Sequence, residues 1–149
     1  MKTKFLISLI IVGFMSMTNY ACVQAQNTPS DKQVFVMLKE FYTTYITESS
    51  KSLATDNLDR IFAIQKKYCT VSLLNKINAQ FKSGQLEADP FLQAQDIDVS
   101  WLNTLSFNKD SRRLNGYRVS YFDSVANEKV VIHLTVVNQD GKFKISAYR

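Results

Sequence analysis

From Val34 to Tyr45 the apolar residues return every three or four positions: Val34, Leu38, Phe41 and Tyr45 form one row, with Phe35 and Tyr42 beside it. That spacing is one face of an α-helix turned toward a core. Ser30-Asp31-Lys32-Gln33 stands just ahead with the form of a capping box, in which serine and glutamine side chains satisfy each other's backbone donors, so a helix is expected to open there. Ser49-Ser50-Lys51-Ser52 closes it. A second, shorter helix is expected from near Asp56, with Leu58, Ile61, Phe62 and Gln65 on one side and Asp59, Lys66 and Lys67 on the other. Thr70 suits the cap of a third, whose inward stripe is Leu73, Leu74, Ile77 and Phe81 until Ser83-Gly84 stops it.

Beyond Trp101 the period falls to two. Leu105 and Phe107, then Tyr117, Val119 and Tyr121, then Val130, Ile132, Leu134 and Val136, then Phe143, Ile145 and Ala147 alternate with polar neighbours. These are four antiparallel strands, separated by Asn115-Gly116, by Asp123 to Asn127, and by Asp140-Gly141, a pair that tolerates the positive φ of a tight hairpin. One face of the sheet is apolar, so helices must cover it. The expectation is an α+β domain: about three N-terminal helices packed on a curved four-stranded antiparallel sheet. By analogy it is cone-like, as in the nuclear transport factor 2-like and cystatin-like folds.

The first residues belong to a different reading. Lys2 and Lys4 precede an apolar run from Phe5 to Met17, followed by small residues, which is the layout of a secretory signal peptide. A membrane-crossing helix needs roughly 20 apolar residues, so this run is too short to span. Val23-Gln24-Ala25 meets the small-x-small rule of cleavage, giving residues 1–25 as signal peptide and 26–149 as one domain. Cys22 offers a lipid anchor instead, as in an outer-membrane lipoprotein, but Asn19 stands where that signal wants an aliphatic residue. A secreted or periplasmic protein is the preferred reading.

Removing Lys2 and Lys4 reduces the 18 basic residues to 16 against 13 acidic ones, a net charge of +3, too weak an excess to point to nucleic acid. Cys69 would then be the one cysteine of the exported chain, so no internal disulfide can form and the core must stabilise the fold alone.

The stretch ADPFLQAQD, Ala88 to Asp96, joins the helical half to the strand half and gathers the candidate chemistry. Glu87, Asp89, Asp96 and Asp98 invite a metal, yet calcium loops place ligands at alternate positions around a glycine bend, and apolar residues intervene here. One histidine and one cysteine cannot close a zinc site. No metal and no cofactor is expected. Asp89 before Pro90 reads as a turn start, and Asp96 as the cap of the segment carrying Trp101. On that reading the block is a clasp. His133 falls on the polar sheet face and Cys69 at a helix junction, too far apart to act as base and nucleophile. Arg112, Arg113, Arg118, Lys142, Lys144 and Arg149 are expected to gather at one end or on the outer sheet face. The surplus of aromatic rings is read first as a filled core, with an apolar pocket between sheet and first helix as the alternative.

FYTTYI (Phe41 to Ile46), YCTVSLLNKI (Tyr68 to Ile77), DPFLQAQD, the tryptophan and VVIHLTVVNQDGKFKI (Val130 to Ile145) together resemble a family of small bacterial envelope proteins of unknown function, exemplified by the YbjP-type lipoproteins. The resemblance implies a cone-like α+β domain outside the cytoplasm and carries no established activity. Its motif residues, Tyr42, Tyr68, Asp89, Phe91, Gln95, Asp96 and Trp101, are expected to be structural or to line a pocket. The functional expectation is a non-enzymatic binding or interaction module at the cell envelope, its partner a small apolar ligand or an envelope protein. Two alternatives stand beside it. One is a ligand-binding or catalytic cavity with a buried carboxylate, and the other is an immunity- or inhibitor-type protein.

Overall fold

The computed structural model describes residues 29–51 and 55–149; the expected signal peptide, its cleavage site and Cys22 lie outside them. Helix α1 spans Pro29–Ser49 and lays Val34, Leu38, Phe41, Tyr42, Tyr45 and Ile46 into the core. It begins one residue before the serine expected to cap it, with proline in the opening position where a missing N–H removes no helical bond. Asp31, in the first turn, suits the positive end of the helix dipole. Its Oδ1 accepts from the Lys109 ammonium at 2.7 Å and the Tyr117 hydroxyl at 2.6 Å, which pins the start of α1 to the sheet.

Helix α2 (Thr55–Tyr68) is rotated from its expected setting. Leu58 and Phe62 face solvent, and the inward row is Asn57, Ile61, Ile64, Gln65 and Tyr68. The two polar members can be buried because both are bonded: Asn57 Nδ2 donates to the Glu48 carbonyl at 2.9 Å, and Gln65 Nε2 to the Tyr45 hydroxyl at 3.2 Å. Helix α3 (Val71–Lys82) is capped by Thr70, as expected, whose hydroxyl accepts from the Leu73 amide. Its stripe runs Leu73, Ile77 and then Gln80, which accepts from the Tyr148 hydroxyl at 2.8 Å. Phe81, expected to point inward, is exposed instead.

A short 3-10 helix, η1 (Val99–Asn103), leads into the sheet of β1 (Ser106–Lys109), β2 (Gly116–Asp123), β3 (Glu128–Gln139) and β4 (Lys142–Tyr148). The strands pair as an antiparallel meander in the order β1-β2-β3-β4. Three helices on a four-stranded antiparallel sheet make the α+β class that the periodicity predicts. The core lies between them, with Val119, Tyr121, Ile132, Leu134, Val136 and Ile145 as the sheet's buried apolar members. A register shift between Thr135 and Val136 interrupts the alternation of β4: Ile145 pairs with Val136, but Ala147 pairs with Thr135 and Tyr148 with Leu134. That one extra residue turns Ala147 away from the core and brings Tyr148 onto it.

Aromatic packing fills much of the core, although Phe62, Phe81 and Phe122 stay exposed. Phe41 lies with its centroid 5.1 Å from Tyr42 and Tyr45, 5.6 Å from Tyr68 and 5.2 Å from Phe91. Edge-to-face and offset pairs at these distances add about 0.5–1.5 kcal/mol each beyond the area they bury.

Candidate functional site

The linker block is built as a clasp. Pro90 fixes the backbone of a turn in which Asp89 Oδ1 accepts from the amides of Phe91 (2.8 Å) and Leu92 (2.9 Å). The main chain closes the loop through Gln93 N–H to the Asp89 carbonyl and Asp89 N–H to the Ala94 carbonyl. Asp89 Oδ2 accepts from the Tyr45 hydroxyl at 2.6 Å. Burial, the largest influence, pushes the Asp89 carboxyl up from its ordinary value, against the opposing pull of Tyr45 and the two amides. Phe91 and Leu92 plug the core, and the Leu92 carbonyl accepts from the Tyr121 hydroxyl at 2.6 Å. Helix, loop and sheet are thereby joined.

The other motif residues divide between core and surface. Tyr42 is fully buried on α1, and Tyr68 is buried at the end of α2 against Phe41. Trp101 is buried and stacks on Tyr121 with centroids 4.3 Å apart. Gln95 is exposed and its amide donates to the Glu87 carbonyl at 3.1 Å. Asp96 is exposed, and the cap expected of it is supplied by Asp98, whose Oδ1 accepts from the Ser100 amide at 2.8 Å at the start of η1. The expectation fails by two residues because a cap must immediately precede the turn it serves.

A second charged centre lies on the outer face of the sheet, and sequence reasoning passes over its key residue. Asp110, directly after β1, is only 2% exposed. Its Oδ1 accepts from the Arg112 amide at 3.2 Å and lies 3.5 Å from Arg112 Nε; its Oδ2 lies 3.4 Å from His133 Nδ1 and 3.9 Å from Arg113 Nε. Burial alone would raise this carboxyl, but the Arg112 amide, His133 and the Arg112 charge outweigh it and hold it below the usual carboxylate range. Arg118 stands opposite His133 in the β2–β3 register, and Arg149 exchanges backbone hydrogen bonds with His133 on its other side. Of the six basic residues expected to gather, Arg112 and Arg113 reach Asp110 and Arg118 and Arg149 flank His133 along the sheet, while Lys142 and Lys144 lie at the β4 edge. The signal that could have singled out Asp110 is its position at the head of DSRRLNG, since aspartate starting a turn bonds amides two residues on.

Asp110 also organises the β1–β2 loop, residues 110–115. Asp110 N–H donates to the Gly116 carbonyl at 2.9 Å, Arg113 N–H to the Asp110 carbonyl at 3.1 Å, and Gly116 N–H to the Arg113 carbonyl at 3.1 Å. The Asn115 carbonyl accepts from the Val136 amide at 3.0 Å, with Asn115 at φ 56°. A Cβ on Gly116 would stand 2.6 Å from Arg113 Cβ, so only glycine allows this closure. From this fixed frame Leu114 projects with 90% of its surface exposed and the Arg112 side chain with 78%.

Where the sequence suggests a pocket between sheet and first helix, the structure shows an opening that Met37 of α1 shares with β4 and the end of α2. A shallow groove of about 430 Å³ lies at the β4 edge, lined by Met37, Lys67, Tyr68, Lys142, Phe143 and Lys144. Neither Asp89 nor Asp110 lines it. Among the described residues no group of three or more His, Cys, Asp or Glu side chains could hold a metal ion, and no helix is long and apolar enough to cross a membrane.

Neither a protein-family model nor a curated protein matches this chain. Solved structures do. A crystal structure of a protein of unknown function from Bacteroides thetaiotaomicron superposes with a TM-score of 0.70 at 26% identity, over 79% of this chain and 89% of that one. A chain of the type VI effector–immunity complex Tae3–Tai3 from Ralstonia pickettii superposes with a TM-score of 0.59 at 18% identity, over 83% of this chain and 94% of that one. The second likeness is one of fold.

Proposed function

We propose that this chain is an exported, non-enzymatic interaction protein of the cell envelope, of the immunity or inhibitor type, and that it docks on a protein partner through the β1–β2 loop. One observation carries the reading: Arg112 and Leu114 are held out into solvent on a loop whose backbone is closed on itself and anchored by buried Asp110. A loop already fixed in its bound shape loses little conformational freedom on docking, and arginine is a residue on which binding energy concentrates. The bonding of Asp89 to backbone amides and to Tyr45 supports a structural role for this carboxylate. The occurrence of this fold in an effector–immunity complex supports a protein partner, and the signal-peptide layout of residues 1–25 supports export.

A photoreactive amino acid at Leu114, in cells exporting the protein, tests this. The expected result is one discrete cross-linked protein that disappears when Arg112→Glu is added. The same probe at Phe81, which is exposed on the far end of α3, should give no such adduct. Equal adducts from both positions would sink the reading.

A further inference from the structure

A different surface, the β4 edge, carries its own inference. The Asp140-Gly141 turn leaves Gln139 and Lys142 as the closing pair of the β3–β4 hairpin, so the backbone groups of Lys142 and Lys144 turn toward β3 while those of Phe143 and Ile145 turn outward. The Ile145 carbonyl is already taken: Thr70 N–H donates to it at 2.9 Å, and Cys69 forms a parallel bridge with Ile145. The chain thus adds a fragment of strand to this edge at Cys69. On the Tyr68 side of that bridge the backbone leaves the edge as α2, and the groove of about 430 Å³ begins beside Phe143.

The walls of the groove specify what can fill it. Met37, Tyr68 and Phe143 make an apolar floor, and Lys67, Lys142 and Lys144 supply the charge. Two of those ammonium groups are committed, Lys67 to Glu40 at 3.0 Å and Lys144 to the carbonyls of Lys66 and Lys67 at the end of α2. Lys142 is exposed and forms no ion pair among the described residues. Lysines along an open sheet edge repel a second copy of the same edge, and the same charges favour a segment of opposite sign.

We infer that the β4 edge at Phe143 is a docking site for a short extended acidic segment of a partner protein. The segment adds to β4 by main-chain hydrogen bonds to Phe143, seats an apolar side chain on Tyr68 and Phe143, and pairs a carboxylate with Lys142. This is strand addition, in which the main chain supplies affinity and alternate side chains supply selectivity.

The test is an NMR titration of the isotope-labelled protein with a capped peptide of alternating glutamate and valine, followed by amide hydrogen exchange at saturation. The expected result is exchange of the Phe143 amide slowed by about tenfold or more, with no protection from a lysine–valine peptide. Lys142→Glu, an exposed change that leaves the core intact, should reverse that preference. An unprotected Phe143 amide at saturating peptide overturns the inference, as does binding that maps to Arg112 and Leu114 instead. Protection of the Phe143 amide does not bear on the cross-link from Leu114, so failure at one surface is distinguishable from failure at the other.

Discussion

The Tyr45 hydroxyl donates to Asp89 Oδ2 at 2.6 Å, tying the middle of α1 to a loop 44 residues further along the chain. The same hydroxyl accepts from Gln65 Nε2 of α2, so one oxygen links two helices and the clasp. Tyr45→Phe keeps the ring against Phe41 and Phe91 while leaving Asp89 short of a donor and Gln65 short of an acceptor. Breaking a buried hydrogen bond on one side costs about 1–3 kcal/mol. Urea unfolding should show a lower midpoint with an unchanged slope, and an unchanged midpoint would refute the link.

Asp89 also sets a pH dependence. Because burial holds its folded pKa above the ordinary carboxylate value, the folded state favours its protonated form. Its contribution is therefore full below the unfolded pKa and is lost as pH rises through the folded one. Asp89→Asn cannot ionise and should remove that decline. The melting temperature of the native protein minus that of the variant is expected to fall with rising pH across and above the acid carboxylate range; a rising difference would contradict the burial argument.

Periodicity made the fold class, the four strands and their turns legible, because each strand of the meander needs only its own alternation and a turn. What it could not place was set by pairings between distant residues. Asn57 turns inward on α2, beside the Gln65 that the pattern does place on the inner side, because the Glu48 carbonyl lies opposite to bond it, and Leu58 and Phe62 are left at the surface. The extra residue in β4 leaves no mark in a polar–apolar pattern and still decides between Ala147 and Tyr148. At the candidate site, the clasp role of Asp89 was readable from Asp-Pro chemistry. Asp110 was not, since its burial depends on His133 arriving from β3 and on the turn that places Arg112 and Arg113 around it.

Asp98 and Asp96 offer a paired comparison two residues apart. Asp98 caps η1, and replacing such a cap with alanine costs about 1 kcal/mol. Asp96 is exposed, and a surface change of this kind stays within about 0.5 kcal/mol. Thermal unfolding of Asp98→Ala and Asp96→Ala should rank them in that order. The reverse order would restore the cap to Asp96.

Gly116 couples fold to function. An added Cβ meets Arg113 Cβ at 2.6 Å and the Arg113 carbonyl at 3.2 Å, both parts of the loop it closes. Gly116→Ala should lower stability by the cost of overpacking, about 1–3 kcal/mol. It should also abolish the Leu114 cross-link at temperatures where the protein remains folded. A variant that keeps the adduct would show that docking does not require the closed loop.

Cys69 shows how the same burial that stabilises the junction silences its chemistry. It lies 3% exposed between α2 and α3, bridged to Ile145 of β4, and burial pushes its thiol up to about 12 despite the charge of Lys144 nearby. The reactive species of cysteine is the thiolate, which is scarce at neutral pH for such a group, and the side chain is also shielded from reagent. Alkylation of Cys69 by iodoacetamide, followed by peptide mass spectrometry, should therefore be negligible in the native protein. Across a urea series it should rise with the same midpoint as the change in Trp101 fluorescence, because both residues leave one core. Rapid labelling without denaturant would place Cys69 in a locally open junction and detach it from that cooperative unit.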